Sequence, residues 1–277
     1  MAELHEVVRH DAGPRLGPAG AIPIALAALL FAVTAGFAEI LDGVVTREGL
    51  TLFDPALRAA AQTWRTAWGD TIMVTLTMLG DVQPVLGVMA ATLAWLAWQR
   101  AWRPAFYLLA CVGTAEAVVT ALKIGLRIPR PITFLGGADG FSFPSGHAAI
   151  AVVLYGFLTV LAFHGLAVRW RAPAVAAAMM FAGAIALSRF YLGVHWLSDV
   201  AGSVTLGAAW LTVFGVLYMR GGAVPVRPVG LLAAAAAALM LVGGLHIYTA
   251  HAAKMRNYGA FASASARVER PASAWLA

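Results

Sequence analysis

Seven stretches of this chain, at 21–41, 82–98, 104–126, 147–167, 173–192, 199–219 and 229–248, are apolar almost without interruption. Each runs to about 20 residues, the length an α-helix needs to cross about 30 Å of hydrocarbon. Lipid offers no partner to a backbone N–H or C=O, so stretches of this kind fold as helices and pack against one another. The chain is 61% hydrophobic and 12% charged, about half the charged fraction of a soluble domain, which excludes a soluble globular fold. The expected fold class is an all-α integral membrane protein. Its core is a six-span helical bundle over 21–219, preceded by a cytoplasmic N-terminal segment, 1–20, and followed by an additional transmembrane span at 220–248 and a C-terminal tail, 249–277. The first apolar block exceeds a signal-peptide core and reads as an uncleaved span.

Between the first two spans lies "LFDPALRAAAQTWRTAW". Here Asp54 can cap a helix, Pro55 suits its first turn, and Leu57, Ala61, Trp64 and Trp68 recur at helical spacing, so an interfacial helix is expected to lie on the membrane surface. Residues 71–80 either extend that helix or open the second span. Arg100 with Arg103, Arg169 with Arg171, and Arg220 with Arg227 fall on the same side as the N-terminus if the spans alternate, which marks that side as cytoplasmic. A multi-pass protein of a bacterial-type inner membrane is the expectation, its opposite face turned to the periplasm or outside. The net charge of +6 is spread over span ends without a basic run, a pattern suited to anionic lipid head groups and not to nucleic acid. The single cysteine, Cys111, sits inside a span, so no intrachain disulfide can form.

Ionisable groups near a bilayer are costly, and here they gather at span ends on the outward side. Three segments supply them: Lys123, Arg127 and Arg130; Ser145, Gly146 and His147; and Arg189, His195 and Asp199. Guanidinium and ammonium groups can neutralise a phosphate dianion and the charge that builds on its equatorial oxygens during in-line transfer. In "FSFPSGHAAIAVVLYGF" the Pro144, Ser145 and Gly146 run stands at the mouth of a span, where a hydroxyl and free backbone N–H groups point at the same anion. His195 and Asp199 are four apart in "HWLSD". On a helix they share a face, and the carboxylate can hold the imidazole in the tautomer whose other nitrogen attacks. His147 is then placed to protonate the leaving oxygen. A metal site built from His147, His195 and Asp199 uses suitable ligand types. A divalent cation set among Lys123, Arg130 and Arg189 would, however, be strongly repelled.

The stretches "KIGLRIPRP" from Lys123 to Pro131, "PSGH" from Pro144 to His147 and "SRFYLGVHWLSD" from Ser188 to Asp199 together resemble the three-part signature of the type 2 phosphatidic acid phosphatase family, which belongs with the vanadium haloperoxidases in one superfamily. That resemblance implies a phosphatase that needs no metal or other cofactor and works through a phosphohistidine. By it, Lys123, Arg130 and Arg189 bind the phosphate, Ser145 and Gly146 bind its oxygens, His147 is the acid, and His195 with Asp199 is the nucleophile pair. Ser188 matches as well but is assigned no chemistry. Arg127 lies outside the matched positions and reads as a head-group contact.

The expected partners are membrane lipids and a lipid phosphate substrate whose tail enters sideways between helices. The motifs contact only the phosphate, so undecaprenyl diphosphate, phosphatidylglycerol phosphate and phosphatidic acid all fit, with a lean to the isoprenoid diphosphate or to broad activity. Selectivity is expected in "ITFLGGADGFSF" and the interfacial helix. A lipid phosphotransferase using the same site is the alternative reading. A transporter ranks far behind, since transporters bind near the midplane between repeated halves and these charges sit at span ends. Glu116 reads as protonated or bonded within the bundle, and His164, His246 and His251 carry no assigned chemistry.

Overall fold

The computed structural model describes residues 18–131, 140–222, 224 and 226–268. Within them the chain forms α1 (Pro18–Thr46), a 3-10 turn (Gly49–Leu52), α2 (Asp54–Thr63), α3 (Ala67–Leu79), α4 (Val82–Trp98), α5 (Trp102–Leu126), α6 (Gly146–Phe163), α7 (Val168–Tyr191), α8 (Leu197–Arg220) and α9 (Pro228–Ala238). A π-turn (Leu239–Gly243) then leads into α10 (Gly244–Val268). Six of the resulting helical segments are long and apolar enough to cross a membrane, and α3 with α4, bent by 45° at their junction, makes a seventh. The chain is a multi-pass α-helical membrane protein.

The bend has a local cause. Asp81 adopts an extended conformation as the cap residue of α4, and Pro84 falls in the first turn, where no intrahelical N–H is required. The second span is therefore two helices meeting at an angle. Residues 71–80 belong to its first half, and the expected interfacial helix is shorter than its spacing implied. It ends at Thr63, because Thr66 caps a new helix by accepting from Gly69 N at 3.0 Å, and Trp68 belongs to α3.

Helix α6 is the centre of the bundle: 61% of its most apolar 18-residue window is buried, against 28% for α5, α7 and α8 around it. Lipid tails are as apolar as leucine, so this association rests on close packing and interhelical hydrogen bonds and not on hydrophobic burial. Val153, Leu154, Phe157 and Leu161 of α6 pack with Leu108 and Cys111 of α5, Tyr218 of α8 and Leu231 of α9. Phe31, Phe106, Met179, Met180 and Leu241 stand exposed at the periphery, where lipid meets the helices. At one end of the bundle Arg103 joins the start of α5 to the end of α8 through Tyr218 O at 2.9 Å. The signature residues lie at the other end.

Residues 1–17, 132–139 and 269–277 lie outside the described residues, and with them most of the N-terminal segment and most of "ITFLGGADGFSF". The helix that begins at Pro228 does not stop near 248. It continues through the π-turn to Val268, into the segment expected as a tail.

Candidate active site

The turn between α7 and α8 carries His195. Gly193 opens it with φ +72°, and a Cβ there would lie 2.9 Å from Gln62 Nε2, so both backbone and space call for glycine. Helix α2 clamps this turn. Gln62 Nε2 donates to Tyr191 O at 3.1 Å, Arg58 Nε to Gly193 O at 3.4 Å, and Asp54 Oδ1 accepts from Ser198 N at 3.0 Å while its Oδ2 accepts from Ser198 Oγ. Asp54 thus satisfies the start of α8, not of its own helix, and α2 braces the histidine turn instead of only resting on the surface. Burial raises the Asp54 carboxyl above its usual range, against the hydrogen bonds from Ser198. Asp54→Ala would leave two buried donors unpaired, at a cost of about 1–3 kcal/mol. It should lower the melting temperature in detergent and slow turnover about tenfold as the turn loosens. Unchanged melting and turnover would refute the bracing role.

His195 is 1% exposed. Its Nδ1 lies 3.2 Å from Asp199 Oδ2 and its Nε2 lies 3.1 Å from Arg130 Nη1. A guanidinium only donates, so Nε2 is the acceptor, the ring proton is on Nδ1, and Nδ1–H donates to Asp199. Burial, then the charges of Arg130, Arg189 and Lys123, hold the imidazole well below its ordinary pKa, so it is neutral at pH 7 with a lone pair on Nε2. Asp199 Oδ2 also accepts from Trp196 N at 2.8 Å and from Ser142 Oγ, which fixes the carboxylate that fixes the ring.

The cations come from the C-terminal ends of two helices, α5 and α7, and from the chain just beyond α5. Helix α5 stops at Arg127, which takes the left-handed conformation at φ +51° with its N–H on Lys123 O. The chain then runs to Arg130 and returns beside itself, with Ser142 N donating to Ile128 O at 2.7 Å, so the first two signature segments are neighbours. Lys123 Nζ donates to Phe141 O at 3.0 Å and Arg130 Nη1 to Val194 O at 3.1 Å. Arg189, in the last turn of α7, donates through Nη1 to Thr77 Oγ1 at 2.6 Å and Tyr258 OH at 3.0 Å. All three cations are buried.

Ser145 caps α6, and its backbone N–H is held by Ser203 Oγ at 2.6 Å. Its hydroxyl, like Arg189 Nε, is buried without a hydrogen-bond partner among the described residues. Gly146 opens α6, and a Cβ there would meet nothing closer than Val119 at 3.8 Å, so no packing demand of the protein selects glycine. Its N–H belongs to the first turn, which has no intrahelical acceptor. His147 follows, with Nε2 2.8 Å from Asp81 Oδ1.

The structure thus gathers Lys123, Arg130, Ser145, Gly146, His147, Arg189, His195 and Asp199 at one end of the bundle. Arg127 is exposed, with Nε on Ile124 O at 3.1 Å, and Ser188 bonds back to Ile185 O. Glu116 is exposed on α5, without a hydrogen bond or ion pair among the described residues. Among the described residues no three His, Cys, Asp or Glu side chains converge as metal ligands. Sequence reasoning missed Ser142, Thr77, Asp81, Ser203, His246, Lys254 and Tyr258. Of these, Asp81 and His246 carried a visible signal, an ionisable residue beside or inside an apolar stretch.

A bundle of apolar spans that closes one end around three buried cations, a neutral histidine held by a carboxylate, and a helix N-terminus defines a membrane enzyme of phosphate chemistry. The model of the PAP2 superfamily matches residues 104–221. Phosphatidylglycerophosphatase B of Bacillus subtilis (strain 168) is 28% identical over 174 residues, which cover 62% of this chain and 86% of that relative. The crystal structure of a transmembrane PAP2 type phosphatidylglycerolphosphate phosphatase from Bacillus subtilis superposes with a TM-score of 0.60 at 25% identity, covering 68% of this chain and 96% of that one. Over residues 104–221 the chain thus matches the PAP2 superfamily, in keeping with its resemblance to the type 2 phosphatidic acid phosphatases. It is a membrane phosphatase acting on lipid phosphates.

Proposed function

We propose that the protein removes a phosphate from a lipid phosphate or diphosphate through a phosphohistidine on His195, at the membrane face remote from the cytoplasm. The observation that carries this reading is the state of His195: Nδ1–H on Asp199, Nε2 turned to the cation of Arg130. Arg130 occupies the lone pair until a phosphate offers its oxygens as better acceptors. Lys123, Arg130 and Arg189 then hold the phosphoryl oxygens with Ser145 Oγ and the Gly146 N–H. Nε2 forms the P–N bond while the P–O bond to the lipid alcohol or lipid monophosphate breaks, and the leaving oxygen takes a proton from His147. Water next attacks the phosphorus, His147 takes the water's proton, the P–N bond breaks, and inorganic phosphate leaves.

The lipid is a phosphatidylglycerol phosphate, a phosphatidic acid or an isoprenoid diphosphate such as undecaprenyl diphosphate. The first of these is supported by the activity named for both Bacillus relatives. The experiment is phosphate release by the purified protein in detergent from a panel of these lipids, with a metal chelator present. Release from one or several, undiminished by the chelator, is expected. Release that disappears with chelation and returns with a divalent metal would overturn the metal-independent reading, and release from none would overturn the hydrolase reading.

A further inference from the structure

The superfamily match ends at residue 221, yet the chain beyond it reaches the site. Helix α10 packs along α3, and three of its side chains touch groups of the candidate centre. Tyr258 OH accepts from Arg189 Nη1 at 3.0 Å, and His246 Nε2 and Lys254 Nζ lie 2.8 and 3.0 Å from Asp81 Oδ2. The other oxygen of Asp81, Oδ1, lies 2.8 Å from His147 Nε2. One carboxylate therefore divides its two oxygens between the proposed acid and the last helix.

Several features converge on this arrangement. Asp81 stands at the break in the second span, and the preceding Gly80 lets that break close on the site. A Cβ on Gly80 would lie 2.8 Å from Ile185 Cγ2 and 3.2 Å from His147 Cδ2. Ile247, Ala250 and Met255 of α10 pack on Val74 and Met78 of α3 and on Leu192 and Val194 beside His195, so one apolar seam sets the height of α10 against both histidines. The π-turn at Leu239–Gly243 precedes α10. An extra residue in a turn rotates everything after it by about 100°, and the face that follows it carries His246, Lys254 and Tyr258 against Asp81 and Arg189.

We propose that Asp81 is the positioning residue for His147, and that α10 holds it in place through His246 and Lys254, so that the seventh span completes the acid half of the active site. The inference rests on the phosphatase reading above. A carboxylate accepts, so His147 Nε2–H is committed to Asp81. Nδ1 is the nitrogen left to face the leaving oxygen. His195 with Asp199 and His147 with Asp81 then form two His–Asp pairs on opposite sides of the phosphate, one orienting the nucleophile and one the acid.

A positioning role differs from a structural one in its dependence on the leaving group, because an alkoxide needs the proton and a nitrophenolate does not. The test measures kcat/KM, which reads the step that expels the leaving group, for a dialkylglycerol phosphate and for a nitrophenyl phosphate. For Asp81→Asn the expected loss is about a hundredfold on the alkyl substrate and about threefold on the aryl one. Lys254→Met, at a partly exposed position, should show the same bias at about tenfold, with Lys254→Arg restoring most of the rate. Equal losses on both substrates, or no loss on either in both Asp81→Asn and Lys254→Met, would overturn the assignment. Absence of turnover by the unaltered protein on both substrates would instead overturn the phosphatase reading, and this inference with it.

Discussion

His195→Gln is expected to lower phosphate release by about 10⁴-fold or more, the scale seen when an activated nucleophile is removed while its surroundings remain. Glutamine keeps similar bulk but has no nitrogen lone pair able to form a P–N bond. The loss should fall on turnover and not on binding. Lys123, Arg130 and Arg189 owe their places to Phe141 O, Val194 O, Thr77 and Tyr258 and should still hold a lipid phosphate with its affinity changed by no more than about threefold. Residual turnover within about tenfold of the unaltered protein would assign the nucleophile elsewhere.

Arg189→Lys should cost about 10³-fold in kcat/KM, within the range found for arginines that stabilise a transferring phosphoryl group. Nη1 is already engaged by Thr77 and Tyr258, and Nε is buried without a partner among the described residues. The guanidinium is thus anchored by one edge with the other edge open. An ammonium is a point charge with no such fork, and it cannot serve the anchors and two phosphate oxygens together. Arg127→Lys, at an exposed cation four residues after Lys123, provides the contrast and should change kcat/KM by less than about twofold. A loss at Arg189 no larger than at Arg127 would remove Arg189 from the phosphate cradle.

The bundle was legible because lipid imposes a length on each apolar block, and block lengths survive in a linear sequence. The signature residues were legible because each segment is short and its polar groups sit at a helix end, where burial makes them conspicuous. What the sequence hid were contacts across distance. Asp54 satisfies the local rule for capping its own helix, but that rule is silent about Ser198, 144 residues away, which takes both carboxylate oxygens. Asp81 lies 66 residues from His147 and 165 from His246, and neither separation follows from a helical period. His246 carried no assigned chemistry, and Lys254 and Tyr258 fell in the expected tail, because their contacts depend on a π-turn, which leaves no clear mark in "LMLVG", and on the bend at Gly80 and Asp81. The spacing of Leu57, Ala61, Trp64 and Trp68 fitted one helix, whereas Thr66 begins another. Periodicity cannot see a cap placed inside it.

The proposed chemistry turns on a covalent phosphate on His195. Its most direct test is to mix the protein with a lipid phosphate labelled in the phosphate, quench within the first turnovers, and locate the label on peptides. A phosphoramidate is stable in alkali and labile in acid, unlike a phosphoserine. Such a label is expected on the peptide containing His195, present in the unaltered protein and absent from His195→Gln. Full phosphate release with no trapped label across the first turnovers, or a label on any other residue, would contradict the proposed chemistry.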